Sequence, residues 1–179
     1  MTPRGQLMIE HRLIEKYLAF AGRAVGVMTE ATYDPFLLDA VVDFIRTYAD
    51  RTHHGKEEHI LFAELSKKGM SPSDLAAMEA LVREHEQARE TVGKLVALNE
   101  RFKTGDRSVV PGIREIITGL GTFYPAHIKH EDASFFRDTE RYFTRAELAE
   151  MVDRFNAFDR DMIHEKYRTL LDRLAGGTR

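Results

Sequence analysis

The sequence predicts an all-α protein: an up-down-up-down antiparallel four-helix bundle with an additional C-terminal helix. Glycine, proline and helix-capping residues interrupt the chain of 179 residues at only four places. The segments between those breaks, roughly 25 to 35 residues each, repeat apolar side chains at helical spacing and hold almost no β-branched runs. Short breaks between long helices make sequential neighbours antiparallel.

The helices are expected at about 4–30, 35–67, 72–103, 108–138 and 145–173. In "ATYDPF", Asp34 suits an N-cap with Pro35 at the first helical position. "KKGMSPSD" ends one helix at Gly69 and starts the next with Ser71 as cap and Asp74 in the first turn. "FKTGDRSVVP" breaks the chain around Gly105, and "FTRAE" is a capping box from Thr144 to Glu147. The tail "AGGTR" is expected to fray. We read residues 1–179 as one domain, with the bundle over about 6–138 and the fifth helix over about 145–173.

Composition narrows the chemistry. With 43% hydrophobic residues the chain can bury a core without covalent staples. It has no cysteine, which excludes disulfides, thiolate metal sites and cysteine nucleophiles. A net charge of −3 argues against a nucleic-acid partner. No stretch is apolar enough for a membrane span or a signal peptide, so a cytoplasmic location is expected. No Ser–His–Asp order, phosphate loop or dinucleotide fingerprint is visible.

Histidine placement points to a metal. In an antiparallel hairpin, residues equally distant from the turn lie side by side. The midpoint of His11 and His54 falls in "ATYDP", that of His54 and His85 in "KGMSP", and that of His85 and His127 in "TGDRS". All three are turns inferred independently, so these four histidines are expected at one height. Four of the eight histidines also have an acid four residues later: His11–Glu15, His53–Glu57, His54–Glu58 and His127–Glu131. That spacing puts both groups on one face, one turn apart.

In "HHGKEEHILF", a regular helix of about 100° per residue places Glu58 inside the apolar stripe and His54 at its edge. His53 and Glu57 then form a solvated ion pair, and His59 falls near the apolar face. Burying Glu58 and Glu131 without partners would cost several kcal/mol each, a penalty that a bridged pair of divalent cations removes. The alternative is a metal-free His–Glu network. Imidazole and carboxylate donors without thiolate suit iron, manganese or zinc. No histidine has a glutamate three residues before it, as ferritin-like di-iron bundles do.

These motifs resemble the hemerythrin-like, HHE cation-binding family. "LMIEHRLIEKYL", "HHGKEEHILF", "REHEQAR" and "YPAHIKHEDASFF" look like its four motifs, over about residues 6 to 138. The resemblance implies two iron ions, replaceable by zinc or manganese, that bind oxygen, peroxide or nitric oxide. It assigns His11 and His54 to one iron and His85 and His127 to the other, with Glu58 and Glu131 bridging. Turnover, if any, would be oxidation of the ferrous pair or peroxide reduction, and ligand sensing through the fifth helix is a further alternative.

Two departures stand out. Hemerythrins proper carry two histidines a turn apart on the third helix, but here position 81 is Leu and position 89 is Arg. On the fourth helix, "HIKHED" offers both Glu131 and Asp132; a regular helix favours Glu131, and Asp132 would need a local bulge. To fill the gap, "DMIHEKY" supplies His164, Glu165 and Tyr167, and the midpoint of His127 and His164 falls beside Thr144. Glu15 is another candidate, while Tyr124 reads as a packing residue.

Overall fold

The computed structural model describes the backbone of residues 1–176 and the side chains of residues 1–168. Helix α1 spans Pro3–Gly26. Helix α2 starts at Pro35–Phe44, winds as π-helix over Ile45–His54 and Glu57–Phe62, and closes at Ala63–Leu65. Helix α3 spans Pro72–Lys103. Helix α4 runs over Val110–His130, widens to π at Glu131–Phe135 and ends at Phe136–Thr139. Helix α5 spans Arg145–Gly176. Among the described residues there is no strand and no helix long and apolar enough to cross a membrane. The fraying expected of "AGGTR" lies outside the described residues, except that Ala175 and Gly176 continue α5.

The caps lie where the sequence places them. Asp34 accepts from the Phe36 N–H (2.9 Å) and Ser71 from that of Asp74 (3.2 Å). The Thr144 N–H donates to Glu147 (2.7 Å), whose own N–H donates back to the Thr144 hydroxyl (3.3 Å). Gly105 takes a φ of 108°, the left-handed conformation that a glycine allows without strain. Helix α1 stops at Gly26 rather than near 30, because Thr29 and Thr32 form a turn in which the Thr32 hydroxyl accepts from the Thr29 N–H (2.9 Å).

Contacts between α1 and α2, and between α2 and α3, run in opposite senses. Tyr17 donates to the Ala40 carbonyl while Glu10 meets His53, and on α2 and α3 Asp39 meets Asn99 while Glu58 meets His85. Helix α4 packs on α1 and α3, and α5 on α1 and α2.

The π winding decides which side chains turn inward. Buried residues of α3 fall at Met78, Leu81, His85, Ala88, Val92, Leu95, Asn99 and Phe102, alternating steps of three and four. On α2 an unbroken buried series takes only steps of four: Val41, Ile45, Ala49, His53, Glu57, Leu61, Leu65. In a regular α-helix each such step drifts by about 40° around the axis. The wider π turn, closed by i→i+5 bonds, cancels that drift and keeps the series on one face. Helix α4 makes the same change, from alternating steps before His127 to steps of four at Glu131, Phe135 and Thr139.

Along α1 to α4, a layer of ionisable residues separates two apolar clusters. One holds Leu18, Ile45, Val92 and Leu120; the other holds Leu7, Phe62, Leu81 and Phe136, with Met151 and Phe155 of α5. Gly55 lets α5 approach closely, since a Cβ there would lie 2.8 Å from the Phe158 ring. Fully buried Lys56 pairs with Glu10 of α1 and with Asp159 of α5 (2.7 Å), its ammonium over the Phe155 ring. Phe155 is wholly buried and Leu75 is 43% exposed. Urea unfolding should therefore show Phe155→Ala destabilised by about 3–5 kcal/mol and Leu75→Ala by no more than about 0.5 kcal/mol. Equal, small effects would mean that α5 is an appendage rather than part of the core.

Candidate metal centre

Two groups of side chains in the buried layer offer ligand atoms close together: His54, His85 and His127, and His11, His53, Glu57 and Glu131. Within each group the atoms lie within 4.8 Å of one another, and all seven residues are buried. Helix α1 supplies His11, α2 supplies His53, His54 and Glu57, α3 supplies His85, and α4 supplies His127 and Glu131.

Each imidazole is held from behind. The Nδ1 atoms of His11, His53, His85 and His127 lie 2.6–2.8 Å from carboxylates of Asp132, Glu10, Glu58 and Glu84 respectively. Asp50 faces Nδ1 of His54 at 3.4 Å. A carboxylate at Nδ1 keeps the proton there and leaves the Nε2 lone pair free to ligate, the arrangement that orients metal-binding histidines.

The inward atoms have no such partner. Twelve buried side-chain N and O atoms of the described residues lack a hydrogen bond, and nine belong here: five Nε2 atoms and both oxygens of Glu57 and Glu131. Buried polar groups are otherwise almost always paired, so this concentration calls for a ligand. The atoms are nonetheless close. Glu131 sets Oε2 3.1 Å from Nε2 of His11 and Oε1 3.3 Å from that of His127. Glu57 sets Oε1 3.4 Å from Nε2 of His53 and Oε2 3.4 Å from that of His85. These are contact distances without hydrogen-bond alignment. Each carboxylate thus offers one oxygen to either group.

Electrostatics in the layer is polarised. Burial works against the charged form of His11, yet Asp132 and Glu131 carry its pKa up to about 9. Burial lowers His53 to about 4 despite its bond to Glu10. Burial and the Glu131 charge push Glu57 well above the usual carboxylate range. Burial pushes Glu131 the same way, but His127 and His11 hold it well below that range.

Several expectations need correction. His53 and Glu57 are no solvated pair; they are 1% and 0% exposed. Glu58 turns outward, accepting from Nδ1 of His85 and from Arg89 (2.7 Å each). The reason is the π winding of α2, which an α-helical phase cannot follow. His11 is grouped with His53 rather than with His54. Where α3 offers one histidine, α2 brings the adjacent pair His53 and His54 into the layer, and the α5 candidates stay outside it: His164 is exposed, Tyr167 is 65% exposed and Glu165 pairs with Arg51. Glu15 pairs with Arg12 (2.8 Å), and His59 is exposed near the Phe158 ring. Of the two acids on α4, Glu131 faces the layer while Asp132 holds His11 from behind. The signal for His53 and Glu57 was present in the series of fours from Val41 to Leu65.

The raised pKa of His11 makes the metal-free chain pH-sensitive. The folded state keeps this proton up to about pH 9, whereas the unfolded chain releases it near 6.5. The stabilisation is therefore complete below about pH 6.5 and lost as the pH rises through 9, on the order of 3 kcal/mol. Urea unfolding of metal-free protein should show that decline, and metal-loaded protein, with the proton displaced, should not. A metal-free chain as stable at pH 9 as at 6.5 would contradict the assignment.

No curated protein and no solved structure matches the chain. A family model does, that of the hemerythrin HHE cation-binding domain, over residues 2–139. This stretch takes in all seven inward residues and stops before α5. The chain belongs to the hemerythrin HHE cation-binding family.

Proposed function

We propose that the chain holds two iron ions in this layer, inside an up-down-up-down four-helix bundle, and binds dioxygen or a related small ligand such as peroxide or nitric oxide. The observation that carries the reading is the set of nine unpaired inward atoms whose imidazoles are each backed by a carboxylate. His54, His85 and His127 would hold one ion, His11 and His53 the other, and Glu57 and Glu131 would span both. Imidazole and carboxylate without thiolate suit iron, with manganese or zinc as substitutes. Bound iron would supply reversible one-electron chemistry and affinity for oxygen species.

The chain's own residues do the rest. The carboxylates behind the imidazoles fix their tautomer and direction. The two anionic glutamates would balance cationic charge that the apolar clusters on either side could not solvate. Those same clusters limit access of water to the layer.

Metal analysis of iron-reconstituted protein tests this reading. We expect about two irons per chain in the wild type, and a marked loss in His53→Ala and Glu57→Gln. Glu58→Gln, which removes only a group behind His85, should weaken affinity by about 10–100-fold. His164→Ala should leave the metal content unchanged. No stoichiometric metal in the wild type, or full metal in Glu57→Gln, would overturn the assignment.

A further inference from the structure

The carboxylates behind the imidazoles are themselves held in different ways. Arg12 of α1 holds Asp132 behind His11, and Arg89 of α3 holds Asp50 and Glu58 behind His54 and His85. Glu84, behind His127, has no other cationic partner among the described residues. Only Glu10, behind His53, is held by a chain of charges that ends on α5. The guanidiniums of Arg12 and Arg89 are 57% and 37% exposed, whereas the link to α5, Lys56, is wholly buried.

A lysine is almost never fully buried unless it is paired. The Lys56 ammonium lies between Glu10 of α1 and Asp159 of α5 (2.7 Å), with the Phe155 ring centred 5.7 Å away. Glu10 divides its oxygens between two partners: Oε1 accepts from Lys56, and Oε2 lies 2.8 Å from Nδ1 of His53. A lone carboxylate facing a buried ammonium carries the whole attraction, and a second carboxylate shares it. Without the Asp159 charge, Glu10 turns toward Lys56 and gives up part of its hold on His53. The imidazole is then less firmly directed, and its Nε2 is a weaker ligand.

Helix α5 is shaped to deliver that second carboxylate. Phe155, Phe158 and Asp159 lie within one turn on one face. Gly55 leaves room for the Phe158 ring, and Asp159 meets the next residue of α2, Lys56.

We propose that Asp159 is a positioning residue of the cation site: through Lys56 and Glu10 it fixes His53, so α5 governs the cation position of His11 and His53 but not that of His54, His85 and His127. The inference rests on the cation-binding reading above and deepens it by making the two positions unequal.

The test titrates metal-free full chain with cobalt(II), a divalent ion suited to the same donors, in competition with a chelating indicator. Visible absorbance of the bound cobalt follows each step. Asp159→Asn should weaken one of the two steps about tenfold, the lower end of what outer partners of ligands contribute, and leave the other within about twofold. The weakened step should be the one missing in His53→Ala. In the His53→Ala chain, adding Asp159→Asn should change nothing further, which a general loosening of α5 would not reproduce. Lys56→Met cuts the same link further in and should weaken the same step; it decides if Asp159→Asn does not fold. Two unchanged steps, or two weakened alike, overturn the proposal and leave the cation site standing. A wild-type chain that takes up neither cobalt nor iron overturns the cation reading and this inference with it.

Discussion

Everything else in this protein is arranged around a layer of charge that cannot be left alone. Two carboxylates and five imidazoles sit fully enclosed between two apolar clusters, and nine of their atoms have no hydrogen bond. An isolated buried carboxylate is costly, and two side by side cost more. The chain answers from outside, with acids behind the imidazoles, and those acids are themselves held. Glu10 pairs with buried Lys56, Asp132 with Arg12, and Asp50 and Glu58 with Arg89. The inner face is left with unpaired nitrogen and oxygen atoms converging on shared space, and a cation that displaces the His11 proton satisfies them together.

The helices bend their own rules to make that layer. A regular α2 would present either His53 or His54, and either Glu57 or Glu58. The π segments let both adjacent histidines face inward and bring Glu57 into the layer, while Glu58 is released to hold His85 from behind. One stretch of ten residues thus brings two adjacent histidines and a glutamate into the layer. Helix α5, beyond the stretch that the family model covers, reaches the same network through Asp159 and Lys56 to Glu10, which holds His53. It closes the second apolar cluster and fixes an outer acid, and none of its described residues joins the two groups of ligand atoms.

How much of this was legible in the sequence follows from which rule governed each residue. Breaks made by Gly105, the cap at Asp34 and the box from Thr144 to Glu147 are local chemistry, and all stand where the sequence places them. The shared height of His11, His54, His85 and His127 needed only hairpin geometry, and the structure puts all four in the buried layer, His54, His85 and His127 in one group and His11 in the other. The inward choice within "HHGKEEHILF" failed because it assumed about 100° per residue where the helix winds more widely. The reach of His164 failed differently: equal distance from a turn sets height, not direction, and this residue points to solvent. The carboxylates behind the imidazoles were not legible, because Glu10 and Glu84 join the site from neighbouring helices with no local motif to mark them.

The central claim is that the buried layer is a two-cation site to which His53 and Glu57, and not Glu58, contribute. Anomalous diffraction at the iron edge, on crystals of iron-loaded protein, tests it most directly. The account predicts two peaks inside the layer, one beside Nε2 of His54, His85 and His127 and one beside Nε2 of His11 and His53, with Glu57 and Glu131 reaching both. A peak bound by Glu58, or an ordered structure with no anomalous peak between the two apolar clusters, would contradict it.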